Sequence, residues 1–475
     1  MIMERKTENK LASNMVYQMV YQSLVVFYPL LTMPVVSKAF GSEILGTYSY
    51  TYSIAYYFSL VSILGIQTYG SRLVAFDRDD TSKLKKSFWQ LYSIQLLCTS
   101  IVLGIYIGYV FLGTNNYPMT WLLQGTTILM AMTDISWFFT GIEQFKTMVL
   151  RNTIIKIISL IAILILVRSA SDLNVYILIM NGSNIMGQLI IWPSALKIVG
   201  TPRFSLSNMK FHMPQVIKLF VPIMATNAYV LIDKTMLGLM RPMAEVGYYE
   251  NSDRLIKMPV GLACAVSAVI LPRAAYYVSH GQSEKIIEYL QKTFKVVLLF
   301  AVPIAVGLAG VAPELVPWYL GEDFIPCIGY IQMLSPVIII VVIGNILRMQ
   351  YYVPKQKDAE YTRCVVLVAI INFIINFLTV RTYGGYGIIV GTLIGEGVGM
   401  FYLVFKSKDE VPYANVMKVF GTYMLAASLM GVVIRIVGRK LGASIYTNAI
   451  QVLIGAVIYF IVLFLIGKVT NYKRK

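Results

Sequence analysis

From Ala449 to Gly467 the chain runs without one charged side chain. At about 1.5 Å of helical rise per residue, a run of this length can cross the hydrocarbon core of a bilayer. Lipid offers backbone N–H and C=O groups no water to bond with, so such a run must be a helix that satisfies them internally. The feature recurs from Pro336 to Leu347, and from Ile154 to Val167 with Lys156 as its one charge. The 475 residues are 57% hydrophobic and 13% charged. That is about half the charge of a soluble domain, which excludes that class.

Apolar runs predict an all-α polytopic membrane protein with fourteen spans: 13–36, 44–66, 87–112, 119–140, 152–168, 173–195, 216–240, 246–271, 294–313, 326–350, 363–381, 386–405, 419–437 and 446–467. The polar head before the first span (MIMERKTENKLASN) lacks a small-residue cleavage site, so that span reads as an uncleaved anchor. Lys and Arg set the orientation. With a cytoplasmic N-terminus, cytoplasmic segments hold 25 of the 40 basic residues. The opposite loops hold six: Lys38, Arg168, Arg241, Arg381, Arg439 and Lys440. Both termini are expected in the cytoplasm of a bacterial cell, the protein lying in the cytoplasmic membrane. The net charge of +17 is then topology, with attraction to anionic membrane lipids as a by-product; nucleic acid is not an expected partner.

Cys98, Cys264, Cys327 and Cys364 lack paired spacing and read as free thiols. His212 and His280 fall in expected cytoplasmic loops. No HExxH or Walker motif is present, so neither an enzyme nor a bound cofactor is expected.

Two short elements recur 193 residues apart: Phe27-Tyr28-Pro29 and Phe220-Val221-Pro222. Each is followed by an acidic residue, a glycine and tyrosines, EILGTYSY from Glu43 and EVGYYENS from Glu245. This weak repeat predicts an N-terminal six-helix lobe (1–195), a cytoplasmic linker (196–215) and a C-terminal six-helix lobe (216–405). Residues 406–475 add two further helices and a basic tail. Duplicated lobes are a common transporter plan.

Charge concentrates in the second lobe's first hairpin. Span seven carries Asp233 and Lys234; span eight carries Glu250, Asp253, Arg254 and Lys257. Spacings of three, four and seven put these last four on one helical face. Each charge at such depth costs roughly 2.5–3.5 kcal/mol on an insertion scale. The stripe therefore either pairs internally, Glu250 with Arg254 and Asp253 with Lys257, or lines a polar cavity. Elsewhere span four holds Asp134, span ten ends on Arg348, and span twelve holds Glu396 beside Gly387, Gly391, Gly395 and Gly399, a close-packing seam. Asp134 and Glu396 are candidates for H⁺ or Na⁺ coupling. Tyr17, Gln18, Tyr21, Gln22, Tyr48, Tyr50, Tyr52 and Tyr56 could pack inside or stack on a sugar. In the first lobe, Lys38 and Lys156 stand near span ends.

These residues resemble the bacterial polysaccharide (O-antigen, capsule, exopolysaccharide) repeat-unit flippases, Wzx-type members of the multidrug/oligosaccharidyl-lipid/polysaccharide exporter superfamily. The resemblance rests on DISWFFTGIEQF from Asp134, LIDKTMLG from Leu231, GYYENSDRLIKMP from Gly247, NILRMQYYVP from Asn345, NFIIN from Asn372 and GGYGIIVGTLIGE from Gly384. It implies two six-helix lobes around a central cavity and alternating access. It also implies a polyprenyl-diphosphate-linked oligosaccharide as cargo, moved from the cytoplasmic to the outer leaflet. Arg254, Lys257, Lys234 and Arg348 would be the cationic side chains that bind it, with Asp233, Glu250 and Asp253 as their polar partners. A polysaccharide polymerase and glycosyltransferases are the expected pathway partners. A multidrug or peptidoglycan-precursor exporter, or a membrane polysaccharide polymerase, are the other readings.

Overall fold

The computed structural model describes residues 2–113, 117–201, 204 and 209–472; within these, side chains are described from Phe27 to Lys468 except at 145–147, 225, 226, 228, 229, 265, 266, 268, 269, 272 and 283. Packing divides the chain into unit 1, Met1–Phe40 with Thr47–Thr235, and unit 2, Gly41–Gly46 with Met236–Lys475. Among the described residues both are helical, with no strand. Unit 1 is built from most of α1 (Ile2–Ile63), α2 (Ile66–Asp77), α3 (Thr81–Gly113), α4 (Pro118–Gln124), α5 (Thr126–Thr133), α6 (Ser136–Gly141), α7 (Phe145–Leu166), α8 (Leu173–Val199) and most of α9 (Met209–Met240). Unit 2 holds α10 (Met243–Ser279), α11 (Ser283–Tyr319), α12 (Cys327–Leu334), α13 (Pro336–Leu347), α14 (Asp358–Tyr383), α15 (Gly385–Ser407), α16 (Tyr413–Leu441) and α17 (Ile445–Tyr472).

Nine helices among the described residues are long and apolar enough to span a membrane. They match nine of the expected spans, the third, fifth, sixth and ninth to fourteenth. Spans one and two are two helices that meet at a kink inside α1, at Gly41, whose φ of 66° suits glycine and whose ψ of 179° is not helical. The bend frees the N–H of Ser42, which donates to Asp323 Oδ2 at 2.5 Å. A carboxylate there also complements the positive end of the helical stretch that follows. Span four is broken into α4, α5 and α6. The unit boundary falls inside α9, beyond the expected linker at 196–215. The early part of α9 packs with unit 1, where a Cβ on Gly65 would meet the Val216 carbonyl at 2.3 Å.

Backbone approach explains the glycines of α15. A Cβ on Gly387 would meet Thr379 Oγ1 at 2.7 Å, on Gly391 Asn376 Oδ1 at 2.0 Å, and on Gly399 Val368 Cγ2 at 2.4 Å. The seam expected from four-residue spacing is thus the contact of α15 with α14. A reciprocal crossing lies within unit 2 between Gly41–Gly46 and α10. A Cβ on Gly46 would strike the Met243 carbonyl at 1.7 Å, and one on Gly247 the Ser42 carbonyl at 2.1 Å.

Candidate functional site: charged groups inside the helices

Starting at Met243 after Pro242, α10 continues unbroken through its polar stretch. Helical phase brings Arg254 Nε to Glu250 Oε1 at 2.5 Å and Lys257 Nζ to Asp253 Oδ2 at 2.6 Å. Both i,i+4 pairs anticipated by the spacing are formed. The two partners of each pair differ in exposure. Glu250 and Asp253 side chains are 5% and 11% exposed, Arg254 and Lys257 34% and 54%. The stripe is electrically balanced, yet the surface it presents is cationic.

Arg348 opens a π-helical turn, Arg348–Tyr352, at the end of α13. Turns of this type insert one residue into a helix and recur at functional sites. The Arg348 guanidinium lies 4.8 Å from the centroid of the Tyr361 ring, and its buried Nε has no hydrogen-bond partner among the described residues. Gln350, 1% exposed, likewise has no described partner for its amide. Glu396 is half-buried on α15. Its carboxylate and Arg348 both act electrostatically on Tyr361.

The remaining candidates belong to unit 1. Asp134 ends α5 in an extended conformation. Its carboxylate accepts the Ser136 N–H at 2.8 Å and Gln67 Nε2 at 2.6 Å. Gln95 bonds the Asp134 and Ala131 carbonyls freed by the break, at 2.8 and 2.6 Å. A helix end leaves backbone groups without intrahelical partners, and these contacts serve that break: they cap the N–H that follows, satisfy the freed carbonyls and steady the capping carboxylate. Asp233 is buried, Lys234 half-buried; Asp233 lies within electrostatic reach of Tyr57, whose hydroxyl is 3.5 Å from Thr235 Oγ1. Tyr48, Tyr52 and Tyr56 form an i,i+4 stack with centroids 6.1 and 5.7 Å apart. Tyr48 and Tyr50 are buried against Tyr176 and Trp121, while Tyr52 and Tyr56 stay half-exposed. The side chains of Tyr17, Gln18, Tyr21 and Gln22 lie outside the described residues.

Two features escaped the sequence reading. Arg435 on α16 reaches Glu314 on α11 at 2.7 Å, a pairing between distant helices that no local spacing announces. Arg151, counted with a cytoplasmic loop, is 9% exposed and enters a pocket on α7. Its signal was the Asn184, Gln188 pair, four residues apart on α8.

Comparison with known proteins fixes the family. The chain is 22% identical over 382 residues to a candidate O-antigen transporter of Shigella dysenteriae, covering 79% of this chain and 95% of that one. Its fold is shared with a solved structure of the lipid II flippase MurJ in an inward closed conformation, at a TM-score of 0.74 and 16% identity, over 97% of this chain and 100% of that one. An inward-facing MATE-family multidrug resistance transporter of the MOP superfamily follows at 0.59 and 11%, over 84% and 96%. Residues 11–278, more than half of the chain, match the polysaccharide biosynthesis protein family, and the chain belongs to that family.

Proposed function

We propose that this protein is a flippase that carries a polyprenyl-diphosphate-linked oligosaccharide from the cytoplasmic to the outer leaflet of the cell membrane. Its site opens alternately to each side, and both termini are cytoplasmic. The names borne by its relatives, an O-antigen transporter and a lipid II flippase, support a lipid-linked glycan as cargo. The polymerase and glycosyltransferases of a surface-polysaccharide pathway are its proposed functional partners, and two six-helix lobes its proposed plan.

The observation that carries the reading is the asymmetry of the α10 stripe, carboxylates inside and cations outside. Of the two cations Lys257 is the more open, at 54% against 34% for Arg254, and a hydrogen bond to a charged group is worth about 1.5–3 kcal/mol. Arg254 meets Glu250 through Nε, and its planar fork carries further N–H donors. That fork suits two phosphate oxygens at once, while Lys257, one turn further along, supplies a movable point charge. The neutralising carboxylates keep the binding moderate, as release requires. Lys234 and Arg348 are proposed as further cationic contacts and Asp233 as a polar partner. Half-exposed Tyr52 and Tyr56 offer ring faces to the sugar, and Glu396 or Asp134 would bind the coupling H⁺ or Na⁺.

The test measures lipid-linked glycan on the outer leaflet of cells, with expression checked. Arg254→Ala and Lys257→Ala should each reduce export at least tenfold, and Arg254→Lys should recover it only in part. Full export by the double variant Arg254→Ala/Glu250→Ala would mean that the pair only neutralises itself, and would retire the reading.

A further inference from the structure

A second basic site lies in unit 1, on the face where α7 meets α8. Among the described residues its pocket is lined by Arg151, Asn152, Ile155 and Lys156 of α7 and by Asn184, Gly187 and Gln188 of α8. The guanidinium of Arg151 is held by neutral amides. Its Nη1 donates to Gln188 Oε1 at 3.1 Å, and its Nε to Asn152 Oδ1 at 2.9 Å. Lys156 Nζ sits 4.7 Å from the centroid of the Tyr28 ring. Gly187 lets the two helices close on each other at the pocket, since a Cβ there would meet Ile155 Cγ1 at 3.1 Å. Of the described lining residues two are cationic and none is acidic. Two positive charges and three amides around one cavity are a donor-rich setting for an oxyanion.

The surroundings narrow the ligand. On α7 the pocket is flanked by Ile154, Ile157 and Ile158, each 45–55% exposed, and on α8 by Met186 and Ile190, 58% and 57% exposed. A charged pocket bordered by exposed hydrocarbon fits a headgroup with a tail better than a free ion. Arg151 and Lys156 lie about 9 and 16 Å along α7 from its start at Phe145. On the proposed orientation that is the cytoplasmic half of the membrane, where the tether of an amphiphile begins.

We propose that this α7–α8 pocket binds the phosphoryl headgroup of an amphiphile. An isoprenoid diphosphate and an anionic bilayer phospholipid share that chemistry. The site is separate from the α10 stripe and does not depend on the role assigned there.

The test uses the full-length protein in nanodiscs of phosphatidylcholine, titrated with farnesyl diphosphate or with dioleoyl phosphatidylglycerol and read by native mass spectrometry. Lys156→Gln should weaken binding of at least one of the two by about tenfold, in keeping with the loss of one charge-assisted contact, and Lys156→Arg should restore it. An effect on farnesyl diphosphate alone identifies the isoprenoid source; an effect on phosphatidylglycerol alone identifies the bilayer. Gln188→Leu, which frees Arg151 of one amide without removing its charge, provides a second, folded variant and should change affinity less than Lys156→Gln. Equal binding of both probes by wild type and Lys156→Gln overturns the proposal. The same titrations in an Arg254→Ala background, which removes the diphosphate contact proposed on α10, report on this pocket alone: a loss on Lys156→Gln should persist there, so failure here and failure of the transport reading are told apart.

Discussion

Unit 2 contains two ion-pair systems that look alike in composition and differ in build. In α10 each pair joins residues on one helix, and the cation is the exposed partner. Between α11, α16 and α17 the pair joins different helices, and both carboxylate oxygens of Glu314 are used. Arg435 Nη1 donates to them at 2.9 and 2.7 Å and to the Gly310 carbonyl at 3.0 Å. Gln451 Nε2 donates to Glu314 Oε2 at 3.0 Å and to the Ile434 carbonyl at 2.9 Å. Asn448 bonds Gln451 Oε1 at 2.7 Å and accepts from Trp318 Nε1 at 2.5 Å. Intramembrane charge alone is therefore a poor marker of function. What separates the two systems is that one pair ties different helices together while the others lie within a single helix: Arg435 and Arg254 are about equally exposed, at 29% and 34%, and only Lys257, at 54%, is more open. The α11–α16–α17 network holds three helices together, and the α10 stripe keeps charge available.

The sharpest way to break this distinction is to remove one carboxylate from each system. Glu314→Leu strands Arg435, 29% exposed, beside apolar helices, and losing one partner of a buried pair costs about 3–5 kcal/mol. A large fall in thermal midpoint is expected, partly recovered by Arg435→Met in the same chain. Glu250→Leu, which breaks a pair within one helix and no tie between helices, should lower the midpoint by less. Equal losses at the two sites would show that the α10 pairs are structural as well.

A smaller effect is expected at the candidate coupling carboxylates, read as the dependence of export on the H⁺ or Na⁺ gradient. Glu396→Gln should weaken that dependence several-fold. Asp134→Asn should lower stability and leave the dependence in place, because Asp134 already serves the broken helix through both oxygens. An unchanged dependence in both variants would make both carboxylates structural.

The smallest effect concerns His212, outside the expected spans and 4% exposed, between the Tyr69 hydroxyl at 2.9 Å and Gln90 Oε1 at 3.2 Å. Burial pushes its imidazole below the ordinary 6.5, and Asp77 pulls it back only in part. The unfolded chain takes up a proton near that value, the folded chain only at lower pH. Stability from this group is thus complete above 6.5 and lost as pH falls. The thermal midpoint should drop modestly between about pH 7.5 and 5.5, and His212→Gln should flatten the slope.

Features that depend on neighbours along one helix were readable beforehand. The nine apolar spans, the i,i+4 pairs of α10 and the glycine seam of α15 all follow from periodicity. Features that depend on what lies across a helix interface were not. Arg151 looked like a loop residue because its amide partner Gln188 is 37 positions away. The break at Asp134 was hidden in an apolar run, since the Gln67 and Gln95 amides that sustain it come from other helices. Spans one and two read as separate, and the chain does break between them at Gly41; what the sequence did not show is that Asp323, 281 positions away, caps the helix that follows.

The reciprocal crossing of Gly46 and Gly247 has a consequence for inheritance. Each glycine admits a carbonyl that stands four residues ahead of the other, Met243 for Gly46 and Ser42 for Gly247. A side chain added at either position pries apart the same crossing, so selection sees one locus written twice. In descendants of this chain the two codons should drift as a pair or stay fixed together.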